Sequence, residues 1–320
     1  MPAVAAKSLT IFSLMMQLEE SMSTLSAMRE QRATHFRTEN IDGIKVFYRE
    51  AGPEDAPVVV LLHGFPTSSR MYRNLIPQLA DRYRVIAPDY PGFGHSDVPG
   101  RENFTYDFDH ITDIVDQLLD RLNVRDFTPY MMDFGGSIGW RLAVKHPVRI
   151  KAVVLQNAPL YPEGDEGGFW EDILPYWRDG SAEHRDAARS YVTPECTRDQ
   201  YLHGVGDPSL VDPDCWLIDQ TLLDRPGVDE IMLDLLYDVS KQEKVFGAAK
   251  EFLRKEQPPA LIVTGANDTV FPESNQRMFL DDLPHAEFHA LDTGHFALEE
   301  KGSEIGGLMR SFLDRNVSTS

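Results

Sequence analysis

Three residues stand where chemistry is to be expected: Asp133 in Met131-Met-Asp-Phe-Gly-Gly136, Asp268 in Thr264-Gly-Ala-Asn-Asp268, and His295 in Asp292-Thr-Gly-His295. Each follows an apolar run that reads as a strand. In this order they form a nucleophile, an acid that can orient an imidazole, and a histidine, the chain order of a triad built along one edge of an α/β sheet. A carboxylate nucleophile is ionised at neutral pH and needs no base to attack. The histidine would serve a later step, the deprotonation of water.

A second register competes. Gly135-Gly-Ser-Ile-Gly139 matches a serine nucleophile elbow, which would make Ser137 the attacking group. Helix length favours Asp133: an apex there leaves about three helical turns before His146-Pro147, whereas an apex at Ser137 leaves about two. Glycines just past the apex allow close backbone approach, and the helix N-terminus favours a negative charge. Upstream, His63-Gly-Phe-Pro66 ends another strand. The N–H of Phe65 and that of Phe134 would make a two-donor oxyanion hole. His63 reads as a structural hydrogen bonder, and Phe65-Pro66 as a candidate cis bond.

The elements that must position these groups alternate. Lys45–Arg49, Val58–Leu62, Arg84–Ala87, Pro129–Met132, Ala152–Leu155, Ala260–Val263 and Glu287–Leu291 read as strands, several of them continuous apolar runs. Helical segments separate them: Tyr72–Leu79, Asp107–Leu122, the helix after Asp133, and Glu304–Leu313. This predicts an α/β fold with a mostly parallel sheet covered by helices on both faces. Between Leu160 and Pro258 the alternation gives way to short helices rich in Tyr, Trp, Pro and Gly, holding three of the four tryptophans. An insertion there would sit over the carboxyl ends of the strands as a lid. The expected organisation is a leader over 1–34, a core over 35–159 and 257–316, and a helical cap over 160–256.

Composition narrows the partners. The 320 residues are 42% hydrophobic and carry a formal charge of −20, ample for a core and unsuited to nucleic acid or anionic membranes. Cys196 and Cys215 have neither a disulfide framework nor metal-ligand spacing, and the histidines lack paired spacing, so no metal and no cofactor is expected. Leu9–Met16 is too short to span a bilayer, and Gln17-Leu-Glu-Glu20 stands where a signal cleavage site would be. A cytoplasmic location is expected, with a weak N-terminal targeting signal left open. The aromatic lid suggests a small, largely apolar organic substrate, with water as second reactant. A homodimer is left open.

With these motifs in view, the chain from His35 to Leu313 resembles the α/β-hydrolase family. His63-Gly-Phe-Pro66, Asp133-Phe-Gly-Gly136, Asp268 and His295 are similar to its epoxide hydrolase and haloalkane dehalogenase branch, as are Ala87-Pro-Asp-Tyr-Pro-Gly-Phe-Gly-His-Ser96, Leu223-Asp-Arg-Pro-Gly227 and Leu291-Asp-Thr-Gly-His-Phe-Ala297. The resemblance implies attack by Asp133 on an sp³ carbon, an alkyl-enzyme ester, and its hydrolysis by water that His295 and Asp268 activate. It also implies lid tyrosines as acids for opening an epoxide, with Tyr237 first, Tyr176 second, and Tyr201 and Tyr191 behind them. Dehalogenases of the branch place Trp after the nucleophile and Asn or Trp as a second halide donor, where this chain has Phe134 and Phe65. Some carry the acid where this chain has Asn157. Met131 stands where the elbow usually has a small residue. The expected reaction is therefore epoxide hydrolysis to a diol. The alternatives are a haloalkane or haloacid dehalogenase, a serine esterase using Ser137, or a non-turnover accessory protein of a biosynthetic pathway.

Overall fold

A computed structural model describes residues 32–161 and 168–317; the expected leader lies outside the described residues except for its last three positions. An eight-stranded sheet runs through the molecule in the order β1-β2-β4-β3-β5-β6-β7-β8. The strands are β1 (His35–Ile41), β2 (Ile44–Ala51), β3 (Val58–Leu62), β4 (Arg84–Pro88), β5 (Thr128–Met132), β6 (Val153–Gln156), β7 (Ala260–Gly265) and β8 (Glu287–Leu291). β1 and β2 are antiparallel, and every pairing from β4 to β8 is parallel. Both faces are covered, as the uninterrupted apolar runs require: β3, β5, β6 and β7 are buried almost throughout.

The helices are α1 (Ile76–Leu79), α2 (Phe108–Arg121), α3 (Phe134–Lys145), α4 (Leu174–Asp179), α5 (Ala182–Ala187), α6 (Pro194–Leu202), α7 (Asp214–Leu223), α8 (Val228–Asp238), α9 (Glu243–Glu256), α10 (Glu273–Arg277), α11 (Phe279–Asp282) and α12 (Ala297–Asn316). In α2 the apolar stripe Phe108, Ile111, Val115, Leu118 and Leu119 faces the sheet, and Asp107 caps the N-terminus by accepting from the His110 N–H. Trp140 of α3 is fully buried and donates its indole N–H to the Pro159 carbonyl at 2.7 Å.

Three expectations change. The last of the short helices in the segment 160–256 is longer than expected: α9 buries Ala249, Phe252 and Leu253 and packs on α3, the helix that follows Asp133. The segment Tyr72–Leu79 is a 3-10 turn, Ser69–Tyr72, followed by the short α1, since Pro77 fits only a first helical turn. The last helix begins at Ala297, directly behind His295, and breaks from helical geometry at Lys301. Among the described residues no helix is long and apolar enough to cross a membrane.

Candidate active site

β5 delivers Asp133 to the carboxyl edge of the sheet in a backbone conformation, φ 50° and ψ −123°, that L-residues rarely adopt. Such strain is held by its surroundings. Here the Asp133 N–H donates to the Asn157 carbonyl, the Gly136 N–H returns to the Asp133 carbonyl, and α3 starts at the next residue. The apex of the turn is thus Asp133, while Ser137 lies a turn inside α3, buried.

Two glycines make the approach of chains possible. A Cβ on Gly135 would fall 2.0 Å from the Leu62 carbonyl oxygen, and one on Gly64 would fall 2.4 Å from Asp133 Oδ1. Gly135→Ala therefore forces the elbow away from β3. The expected outcome is a loss of about 1–3 kcal/mol of stability together with a collapse of activity, read by thermal denaturation and turnover. Met131, a source of crowding in sequence, is accommodated by Gly139, where a Cβ would meet its sulfur at 2.6 Å.

The loop after β3 closes over Asp133 with a cis Phe65–Pro66 bond. The Phe65 N–H and the Phe134 N–H both donate to Asp133 Oδ1, at 2.6 Å each. No hydrogen bond to Oδ2 is found among the described residues. One carboxylate oxygen is thereby held and the other left free. His63 is fully buried, stacks on Tyr90 at 4.0 Å and contacts the Gly64 carbonyl through Nδ1. Burial lowers its pKa to about 4, so it is a neutral structural group.

Asp268 and His295 come from the loops after β7 and β8, with Asp268 Oδ2 2.9 Å from His295 Nδ1. The opposite ring nitrogen, Nε2, is buried with no partner. Asp268 is itself held: its Oδ1 accepts from the Val270 N–H at 2.7 Å and its Oδ2 from Asn157 Nδ2 at 2.6 Å. Asn157, at a left-handed φ of 46°, also takes the Gly265 N–H at 3.3 Å, and so joins the end of β6 to the acid loop. In sequence Asn157 stands out only as an alternative position for the acid. Its role as a partner of Asp268 depends on β6 and β7 lying side by side, which no local motif announces.

Burial pushes the Asp133 carboxyl above the usual range; the nearby His295 and the two N–H donors pull the other way without cancelling it, and Asp268 adds to the rise. For His295, burial works to lower the pKa, but the charge and hydrogen bond of Asp268, with Asp133 behind, outweigh it and hold the imidazole above its ordinary value. Aromatic rings wall the nucleophile: Phe134 lies 5.7 Å from Phe65 and 5.0 Å from Phe108, and Phe271 lies 5.7 Å from His295.

Tyr176, Tyr237, Tyr191 and Tyr201 all have partners of their own. Tyr176 and Tyr237 do sit together, with ring centroids 4.9 Å apart. They line a cleft of about 640 Å³ with Arg101, Arg185, Asp234 and Lys241, and none of Asp133, Asp268 and His295 borders it. The Tyr176 hydroxyl accepts from Arg185 at 2.6 Å and donates to the Leu233 carbonyl at 3.4 Å, while that of Tyr237 lies over Gly180. At this cleft Arg101 pairs with Asp234, and Arg185 with Glu230 and Asp234. Tyr191 donates to the Phe169 carbonyl and Tyr201 to Asp219. The indole N–H groups of Trp170 and Trp177 are spent on the carbonyls of Val270 and Leu236. Among the described residues no group of His, Cys, Asp and Glu is arranged to hold a metal.

The model of the alpha/beta hydrolase fold family matches residues 57–193. An uncharacterized hydrolase of Saccharomyces cerevisiae, YNR064C, is 40% identical over 81% of this chain and 89% of its own length. A cis-3-alkyl-4-alkyloxetan-2-one decarboxylase of Xanthomonas campestris pv. campestris is 30% identical over 86% of this chain and 94% of its own. A haloalkane dehalogenase of Psychrobacter cryohalolentis is 44% identical over 38% of this chain and 40% of its own. Among solved structures, the epoxide hydrolase VrEH1 of Vigna radiata superimposes with a TM-score of 0.69 at 23% identity, over 88% of this chain and 98% of that one. The chain belongs to the α/β-hydrolase family and is an enzyme.

Proposed function

We propose that this enzyme hydrolyses an apolar substrate at an electrophilic sp³ carbon by way of an ester on Asp133, with an epoxide as the substrate and a diol as the product. The observation that carries the reading is the division of labour within one carboxylate. Asp133 Oδ1 is anchored by the Phe65 and Phe134 N–H groups while Oδ2 is left without a partner. Oδ2 attacks carbon, the ring C–O bond breaks, and the released alkoxide takes a proton from water. The carboxyl oxygen already in the hole then becomes the oxyanion when a second water adds to the ester carbon and His295 takes that water's proton; the bond from that carbon to Oδ2 breaks, and the proton goes to the departing diol oxygen. A serine mechanism would leave Asp133 in the position of the nucleophile with nothing to do.

The missing halide donors argue for oxygen leaving groups. Phe65 and Phe134 offer no side-chain donor, and the Trp170 and Trp177 indoles are engaged elsewhere. Tyr176 and Tyr237 line a cleft that Asp133 does not border, which supports a second reading: a strained ring whose opening releases an anion that needs no proton. A β-lactone opened at its alkyl carbon releases a carboxylate, and the full-length similarity to an oxetan-2-one decarboxylase favours it. Loss of carbon dioxide would then expel Asp133 and leave an alkene. A panel of epoxides, β-lactones and haloalkanes, assayed for diol, carbon dioxide and halide, tests the proposal. Diol formation is the expected result, and halide release alone would overturn it.

The pH dependence has a fixed sign. The base must be neutral to accept a proton, and His295 is held above the ordinary imidazole value. Ester hydrolysis should therefore fall about tenfold per unit as the pH drops below that raised pKa. Rapid quench of a single turnover across acid pH measures it.

A further inference from the structure

Asp219 is a carboxyl group that the proposed chemistry does not use. It lies on α7 in the cap, 1% exposed, and Tyr201 of α6, also 1% exposed, donates its hydroxyl to Oδ2. Oδ1 is buried without a hydrogen-bond partner. The pair does not sit in the cap alone. The Tyr201 ring lies flat on Phe296, 3.9 Å and 6° away, and Phe296 meets His295 edge-on at 5.1 Å. Thr67, whose hydroxyl lies beside both Asp219 and Tyr201, is two residues past the oxyanion donor Phe65 across the cis Pro66 bond. One carboxyl group thus touches, through one neighbour each, the seat of the base and the loop of the oxyanion hole.

The surroundings compensate its charge only in part. No ion pair to Asp219 is found among the described residues. Arg70, from the 3-10 turn Ser69–Tyr72, is the cation on that side, and Glu299 of α12 is a second anion. Arg73 is taken up by Glu299, at 2.7 Å, and the Cys215 thiol on Asp219's own helix donates to the same carboxylate at 3.2 Å. An ionised carboxylate buried this way is costly, so the group is held as the acid.

We propose that Asp219 is a positioning residue, an uncharged latch that locks cap helices α6 and α7 onto the loops of Phe65 and His295, and that its ionisation loosens both loops and stops turnover on the alkaline side. Burial pushes its carboxyl up to about 7, against the pull of Tyr201, Thr67 and Arg70, which places the change near neutrality. The kinetic half of the inference rests on Asp133 and His295 acting as proposed above; the structural half does not.

Asp219→Asn keeps an uncharged side chain that can accept from Tyr201 and donate toward Thr67, so the fold is retained. A folded-state pKa raised from 3.8 to about 7 gives stability that is present below 3.8 and lost as the pH rises to about 7. The thermal midpoint of the wild type should therefore fall relative to the variant over that window and level off above it. At pH 8.5, hydrogen exchange in the peptides spanning 63–72 and 292–300 should be about tenfold or more faster in the wild type than in Asp219→Asn at the same pH. The wild type should lose kcat above pH 7 with KM unchanged, and the variant should not. Equal exchange in the two proteins at pH 8.5 overturns the latch. Faster exchange with superimposable pH–rate profiles overturns the positioning role. If no substrate is turned over, the exchange measurement still decides the latch and only the Asp133 reading falls.

Discussion

Asp133→Asn leaves a folded protein without turnover. Asparagine tolerates a positive φ better than most residues, and its side-chain oxygen can still accept from the Phe65 and Phe134 N–H groups, so the elbow keeps its geometry and the thermal midpoint should change little. What is lost is the ionised oxygen. With no nucleophile, kcat/KM should drop by at least about 10⁴-fold, the scale on which loss of one member of a catalytic triad is felt. Ser137→Ala, inside α3, should by contrast remain active. Steady-state assays on both variants read the difference, and the opposite pattern would return the site to the serine register.

The second large effect separates the two steps. His295→Gln should still allow the attack of Asp133 on carbon, because that step uses the free oxygen Oδ2 and no general base. Hydrolysis of the ester should slow by about 10²–10⁴-fold, the usual contribution of a general base. One equivalent of substrate is then consumed in a burst and retained. Mass spectrometry of the digested protein should find an alkyl adduct on the peptide that contains Asp133, and an adduct on Ser137 would contradict the mechanism. Asp268→Asn should show a weaker version of the same burst, since Asp268 acts through the orientation of His295 at 2.9 Å.

Much of this was legible in the chain because the decisive signals were local. The apex at Asp133 followed from counting helical turns to His146-Pro147, and Asp268 and His295 from standing just past apolar runs. The N–H donors of Phe65 and Phe134 follow from strand ends, and both bond Asp133 in the structure. What failed to show was non-local. Asn157 supports Asp268 only because β6 pairs with β7. Tyr176 and Tyr237 are expected as lid acids from the resemblance alone, and the ion pairs of Arg101 and Arg185 beside the cleft they line join three separate segments, the loop of Arg101, α5 and α8. α9 reads as one more short lid helix until its buried face is seen against α3. β1 was missed because its residues are nearly all exposed, and α6 was missed although Thr193 and Pro194 supply a cap and a first-turn proline.

The central claim is that a bond forms between carbon and an oxygen of Asp133, and oxygen isotopes follow it directly. A single turnover of excess enzyme with an epoxide in ¹⁸O-water should place the heavy oxygen in the Asp133 carboxylate, while the diol carries the unlabelled oxygen that Asp133 gave up. Heavy oxygen in the diol of the first turnover, with Asp133 unlabelled, would mean that water attacks the substrate itself and would contradict the account.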